Sequence, residues 1–202
     1  MSAFIRIAAP VDSAHIAAIY GPYCDSSPIS FDIVAPTTAQ MADRIERILP
    51  EYPWLVSEVD GQIAGYVYAS RHRERPAYRW DVEVAVYIAP PFQRRGIGRA
   101  LYTALFEVLR EQNLVKAYAG ITLPNPGSVG LHEGLGFTQV GVYRGAGYKL
   151  GRWLDVGWWE LALRPEIPNP PEPRLFGALR ESPAVMAAME RGGDLLRGAF
   201  AR

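Results

Sequence analysis

Gln93-Arg94-Arg95-Gly96-Ile97-Gly98-Arg99 decides the reading of this chain, because it leaves an apolar run, Val82 to Ile88, and opens an amphipathic run ending near Arg110. Strand, two-glycine turn and helix in that order suit a pyrophosphate: small residues let the backbone approach the phosphates, and the first helical turn offers free N–H groups. A dinucleotide-binding fingerprint fits poorly. The glycine spacing differs, arginines lie inside the loop, and the strand carries a carboxylate, Glu83, where a nucleotide-binding strand is apolar throughout. Taken alone, such a turn also occurs in α/β proteins as plain structure.

Composition narrows the classes that remain. The chain of 202 residues, 49% of them hydrophobic, can bury one substantial core. Its 21 basic residues balance 21 acidic ones, so no net field draws it to nucleic acid or to anionic lipid. Cys24 stands alone, which excludes a disulfide framework, and His15, His72 and His132 lack metal-ligand spacing, so no metal is expected. The start Met1-Ser2-Ala3-Phe4 has no charged-then-apolar signal pattern and no apolar run reaches membrane length; the expected home is the reducing cytoplasm.

Outward from the motif, Phe4 to Ile7 alternates as a strand, and Asp12 reads as the N-cap of a helix with Ile16, Ile19, Tyr20 and Tyr23 on its apolar face. Thr37 with Gln40 forms a capping box for a helix carrying Met41, Ile45, Ile48 and Leu49. Trp54 to Val59 and Ile63 to Ser70 read as strands around an Asp60-Gly61 turn. Ala117 to Thr122 is strand-like, and Asn125-Pro126 opens a short helix closed at Gly134 to Gly136. Thr138 to Arg144 and Trp153 to Leu163 are strands flanking a loop with Gly145, Gly147 and Gly151. Beyond Arg164, five prolines from Pro165 to Pro173 predict an extended linker, and Leu175 to Arg202 has roughly helical spacing compatible with a docked helix or with disorder. The expected division is therefore a domain over residues 1–164 and a Pro-rich linker and extension over residues 165–202. The loop and the order β-α-α-β-β-β-α-β-α-β-β together resemble the GNAT superfamily of N-acetyltransferases. That resemblance implies an α/β fold with a central mixed, mostly antiparallel twisted sheet of about seven strands, helices on both faces, and a splay between central strands.

In acyl transfer to an amine the substrate arrives as an ammonium, and only the free amine attacks the thioester. Glu83, beside the loop in a strand whose faces both read as covered, suits a general base with a raised pKa; pairing with a nearby arginine is the structural alternative. A main-chain N–H in Val86-Tyr87-Ile88 can face the thioester oxygen if the strand bulges or splays there. The leaving thiolate needs a proton, for which Tyr143 and His132 are the candidates. By itself His132 reads as a hydrogen-bonded structural residue, and Asn125 as an N-cap; in GNAT proteins the corresponding asparagine contacts the pantetheine arm. Arg71-His72-Arg73-Glu74-Arg75, then Tyr78 and Arg79, form a basic loop at the mouth of the expected site, where arginine can grip a carboxylate or phosphinate with two hydrogen bonds. Phe31, Tyr78, Trp80, Trp153 and Trp158 can wall a small pocket or belong to the core.

Ala77-Tyr78-Arg79-Trp80-Asp81-Val82-Glu83, Leu123-Pro124-Asn125, Ser128-Val129, Leu131-His132-Glu133, Arg144 to Lys149 and Trp153 to Gly157 narrow the likeness. Over roughly residues 4–164 the chain resembles the phosphinothricin N-acetyltransferases. The resemblance implies Glu83 and His132 as catalytic residues. It implies an acetyl-CoA site at Val86, Tyr87, Ile88, Arg94, Arg95, Gly96, Ile97, Gly98, Arg99, Asn125 and Ser128, and substrate contacts from Phe31, Arg73, Arg75, Tyr78, Thr122 and Val156. It also implies a homodimer, and resistance to a herbicide of the phosphinothricin type. Thr122 departs from relatives that have glycine there, which adds bulk and a hydroxyl near the substrate's amino end. The expected reaction moves acetyl from acetyl-CoA to the α-amine of a small amino-acid-like acid such as phosphinothricin or methionine sulfoximine, by direct attack. Another small amine or a peptide N-terminus is an alternative substrate, and a non-catalytic acetyl-CoA sensor an alternative class; a polyamine disagrees with the basic entrance.

Overall fold

A computed structural model of the chain describes residues 2–201; Met1 and Arg202, which the readings above place in the N-terminal pattern and the C-terminal extension, lie outside the described residues. The elements run β1 (Ala3–Ile7), α1 (Ser13–Asp25), α2 (Thr38–Ile48), β2 (Trp54–Val59), β3 (Gln62–Arg71), β4 (Asp81–Ile88), α3 (Ile97–Glu111), β5 (Lys116–Leu123), α4 (Pro126–Glu133), β6 (Thr138–Lys149), β7 (Arg152–Ala162), α5 (Phe176–Leu179) and α6 (Pro183–Phe200). Local chemistry sets several boundaries. Gln40 N–H donates to Thr37 Oγ1 while Thr37 N–H donates to Gln40 Oε1, closing the capping box that starts α2. Asp60 and Gly61 both have positive φ, 47° and 79°, as a two-residue hairpin between β2 and β3 requires. Asp12 precedes α1 but does not cap it with its side chain. Its carboxylate instead accepts two bonds from Arg6 and one from Ala9 N–H, tying β1 to the turn before the helix.

The strands form a seven-stranded sheet in the order β1-β2-β3-β4-β5-β7-β6. Alternation along each strand feeds two cores. On one face Leu55, Val67, Val82 and Val84 pack with α3, α5 and α6; on the other Trp54, Val56 and Tyr66 pack with α1 and α2. All neighbours are antiparallel except β4 and β5, which run parallel and pair only through Asp81–Lys116, Val82–Ala117 and Glu83–Tyr118. Beyond Glu83 the two strands diverge, while β4 stays in unbroken register with β3 as far as Ile88. The central strand therefore splays and does not bulge.

Two features differ from the sequence reading. The segment expected as a glycine-rich loop continues β6 as far as Lys149, with a register shift between Tyr143 and Gly147 and a turn confined to Leu150 and Gly151. Gly145, at φ 54°, donates its N–H to Asp155 Oδ1 across the bulge, so the glycines serve an irregular strand. Glu83, expected to be covered on both faces, retains 33% side-chain exposure because the divergence of β5 opens its side of the strand.

After the prolines, α5 and α6 share the main core. Phe176, Val185 and Leu196 are fully buried, each worth about 2 kcal/mol by area. Gly192 lets α6 approach closely: a Cβ there would fall 2.9 Å from Ala100 O and 2.8 Å from Ile5 Cδ1. The C-terminal end of α6 reaches the Gln93–Arg99 loop, with Ala199 beside Gly96 and Phe200 under the Arg95 guanidinium at 5.8 Å.

Candidate active site

The divergence of β4 and β5 makes a cleft with two mouths. One mouth is a cavity of about 440 Å³ lined by Tyr20, Ile29, Phe31, Tyr68, Glu83, Tyr87, Gly120, Thr122, Val156 and Trp158. The other is a slot of about 60 Å³ lined by Val86, Tyr102, Asn125, Ser128 and His132. Ile29, Val84, Ala85, Tyr87, Gly120 and Thr122 line both, so the two spaces meet between the strands. The larger holds a molecule of amino-acid size, while the slot admits only a narrow chain.

At the wide mouth Glu83 Oε1 takes two hydrogen bonds, from Arg73 Nη1 at 2.9 Å and from His72 Nδ1 at 3.1 Å. Among the described residues Oε2 takes none. Arg73 also lies 5.7 Å from the Trp158 ring centroid. Phe31 seats its ring on Gly147, where a Cβ would stand 2.7 Å from Cζ. Thr122 spends its hydroxyl on Ile29 O at 3.2 Å, tying the loop before α2 to β5 and narrowing the cleft between them. The same loop is held from β6 by Lys149, whose Nζ donates to the carbonyls of Ser30, Asp32 and Tyr23. Arg75 and Tyr78 do not line the cavity. Nor does Arg73: with Arg75, Glu51, Tyr52, Arg71 and Glu74 it lines a separate outer groove, and it reaches the edge of the cavity through Glu83 and Trp158; Tyr78 packs edge-on to His72.

At the narrow mouth, Ala89 N–H bonds to Ala64 O on β3, and strand alternation then turns Val84, Val86 and Ile88 toward β5. Their N–H groups face the gap. Tyr87 pairs back to Tyr66 on β3, and the Ile88 carbonyl is already taken by the Tyr23 hydroxyl at 2.7 Å. Asn125 Oδ1 accepts Ser128 N–H, as an N-cap should. His132 is buried, and burial lowers its pKa, partly offset by the Ser128 carbonyl. With Nδ1–H donating to that carbonyl at 2.8 Å, Nε2 accepts from the Tyr102 hydroxyl at 2.9 Å. Burial raises the Tyr102 pKa, so it stays a protonated donor. The sequence reading missed Tyr102, although it sits one helical turn past Gly98 as a hydroxyl on an apolar face. Tyr143, the other candidate donor, is half exposed on the edge strand β6 and lines neither space.

The Gln93–Arg99 loop divides its labour. Gly96 has φ 77° at the start of α3, and no side chain caps that helix, so its first-turn N–H groups face outward. Gly98 packs on Leu131, Ile97 anchors the loop in the core, and Arg99 donates to Gly134 O at 3.0 Å. Arg94 and Arg95 make no ion pair among the described residues. A pyrophosphate fits there: uncapped amides beside two cations that make no ion pair among the described residues.

A split sheet with an uncapped helix at its mouth defines a class of acyltransferase, and the chain belongs to the GNAT acetyltransferase family: the model for the Acetyltransferase (GNAT) domain matches residues 5–158. It is an N-acetyltransferase dependent on acetyl-CoA. More particular likenesses lie within that family. The chain is 43% identical to a phosphinothricin N-acetyltransferase of Streptomyces viridochromogenes, over 84% of this chain and 91% of that one. It is 36% identical to an L-methionine sulfoximine/L-methionine sulfone acetyltransferase of Salmonella typhimurium, over 79% and 94%. The solved phosphinothricin acetyltransferase of Sinorhizobium meliloti in complex with AcCoA superposes with a TM-score of 0.79 at 31% identity, covering 87% of this chain and 99% of that one.

Proposed function

We propose that the chain acetylates the α-amine of a small amino-acid-like acid of the phosphinothricin or methionine sulfoximine kind, with Glu83 as general base. The observation that carries this reading is the join of the two spaces at Val84 and Ala85, next along β4 from Glu83, which lines the larger space with an arginine, Arg73, bonded to it at the rim. Arg73 can pair with the acid's carboxylate or phosphinate, Phe31, Val156 and Trp158 wall its side chain, and Glu83 Oε2 is left to take the ammonium proton, directly or through a water. Bound acetyl-CoA supplies the activated acyl group; Arg94, Arg95 and the first turn of α3 would hold its pyrophosphate, and Asn125 and Ser128 flank its arm. The N–H of Val86 is the donor for charge developing on the acyl oxygen. Tyr102, its hydroxyl held on His132, lines the slot from which the sulfur would depart as a thiolate.

The account includes a homodimer in the cytoplasm. The edge strand β6 and its turn into β7 present Val140, Tyr143, Tyr148, Leu150 and Trp153, the last 70% exposed, as an apolar strip suited to a second copy. The test is thiol release from acetyl-CoA at neutral pH with phosphinothricin, methionine sulfoximine, the standard amino acids and a polyamine. Turnover led by the first two supports the reading. Turnover led by the polyamine sinks the substrate class, and silence throughout with tight acetyl-CoA binding favours a sensor.

A further inference from the structure

His72 lies one residue past β3, yet its side chain is only 10% exposed. Its ring stacks on Tyr118 of β5, centroids 4.4 Å apart at 16°, and meets Tyr78 and Trp158 edge-on. Three elements thus fix the plane of the imidazole and point Nδ1 at Glu83 Oε1. A carboxylate only accepts, so Nδ1 carries the proton of that bond. Arg73, the other donor to Oε1, is different in kind: its side chain is 43% exposed, on a loop, and it is the rim cation facing an incoming acid. Engaging a substrate carboxylate draws Arg73 off Glu83. His72 remains.

We propose that His72 is a positioning residue, the fixed anchor of the catalytic carboxylate: it holds Glu83 Oε1 while Arg73 turns to the substrate, so that Oε2 stays aimed at the amine. The proposal rests on Glu83 as general base. The cleft needs such an anchor because β5 leaves Glu83 at the last paired position of β4, where no further strand packs over the side chain. The ring's remaining charged and titratable neighbours are Asp81 on β4, Tyr118 on β5 and Tyr78 in the turn before β4, and Tyr118 and Tyr78 meet it as flat packing surfaces.

Two substitutions separate anchoring from packing. H72F keeps a ring on Tyr118 and deletes the donor; H72N places an amide N–H near the position of Nδ1. H72F is expected to lower kcat about tenfold, the order for losing one charge-assisted hydrogen bond to a reacting group, with the KM for acetyl-CoA unchanged. H72N is expected to recover most of that loss. In an E83Q background H72F adds nothing further, because the residues act as one unit. Wild-type kcat in H72F, or equal impairment in H72N and H72F, overturns the anchor while the base reading stands. Full turnover in E83Q alone removes Glu83 as base and the anchor with it.

Discussion

Replacing Lys149 with methionine keeps the length of the side chain and removes its ammonium. Lys149 is 6% exposed, and Nζ donates to Ser30 O at 2.6 Å, Asp32 O at 2.9 Å and Tyr23 O at 3.3 Å. Among the described residues no carboxylate pairs with it; its partners are main-chain carbonyls, Tyr23 in the last turn of α1 and Ser30 and Asp32 in the loop between α1 and α2. K149M strands the two closer carbonyls, each costing about 1–3 kcal/mol when buried without a partner, while the longest contact counts for little. Burying the methyl group in place of an ammonium returns part of this, so the net loss is about 3 kcal/mol. For a protein of this size that lowers Tm by roughly 6–12 °C, read by calorimetry. The freed loop carries Ile29, Ser30, Phe31 and Asp32 into the cavity, so the KM for the amine should rise about tenfold and that for acetyl-CoA change less than about twofold. A Tm within about 2 °C of wild type together with an unchanged amine KM would show that Lys149 does not clamp the loop.

T122G removes the bond to Ile29 O and opens the cleft: stability should fall by about 1–2 kcal/mol in urea titration, and the kcat/KM ranking should shift toward acids with bulkier side chains, whereas an unchanged ranking refutes Thr122 as the narrowing residue. His132 gives a pH effect of definite sign. Unfolded, it takes up a proton near the ordinary 6.5; folded, burial lowers that value, so over the interval between them the unfolded state binds more protons and stability falls as pH drops below about 6.5. H132N should flatten this slope of the urea midpoint, and parallel slopes in the two proteins would exclude His132 as its source.

The order of elements was legible because punctuation sat where the physics needs it: the Thr37–Gln40 box, the Asp60-Gly61 turn and the Asn125-Pro126 cap all fall at observed boundaries. The stretch from Gly145 to Lys149 was not, because a bulge and a loop demand the same glycines, and only pairing with β7 distinguishes them. Glu83 stood out as a charge in an apolar run. Its partner His72 did not, since a histidine among arginines looks like solvated loop until Tyr118 from a distant strand is placed beneath it. Arg75 shows the converse limit: charge pattern located the basic loop, but not that Arg73 bonds Glu83 while Arg75 stays in the outer groove. The tie of Lys149 to the loop before α2 spans more than a hundred residues and leaves no local pattern.

The central claim is that the cleft between β4 and β5 brings acyl donor and amine together at Glu83, which takes the ammonium proton. Glu83→Gln tests it most directly, measured as single-turnover acetyl transfer alongside acetyl-CoA affinity. The account predicts a loss of at least about a hundredfold in the rate, the contribution of a positioned general base, with cofactor affinity retained within about twofold. Transfer at the wild-type rate would contradict it, and would move the proton acceptor away from Glu83.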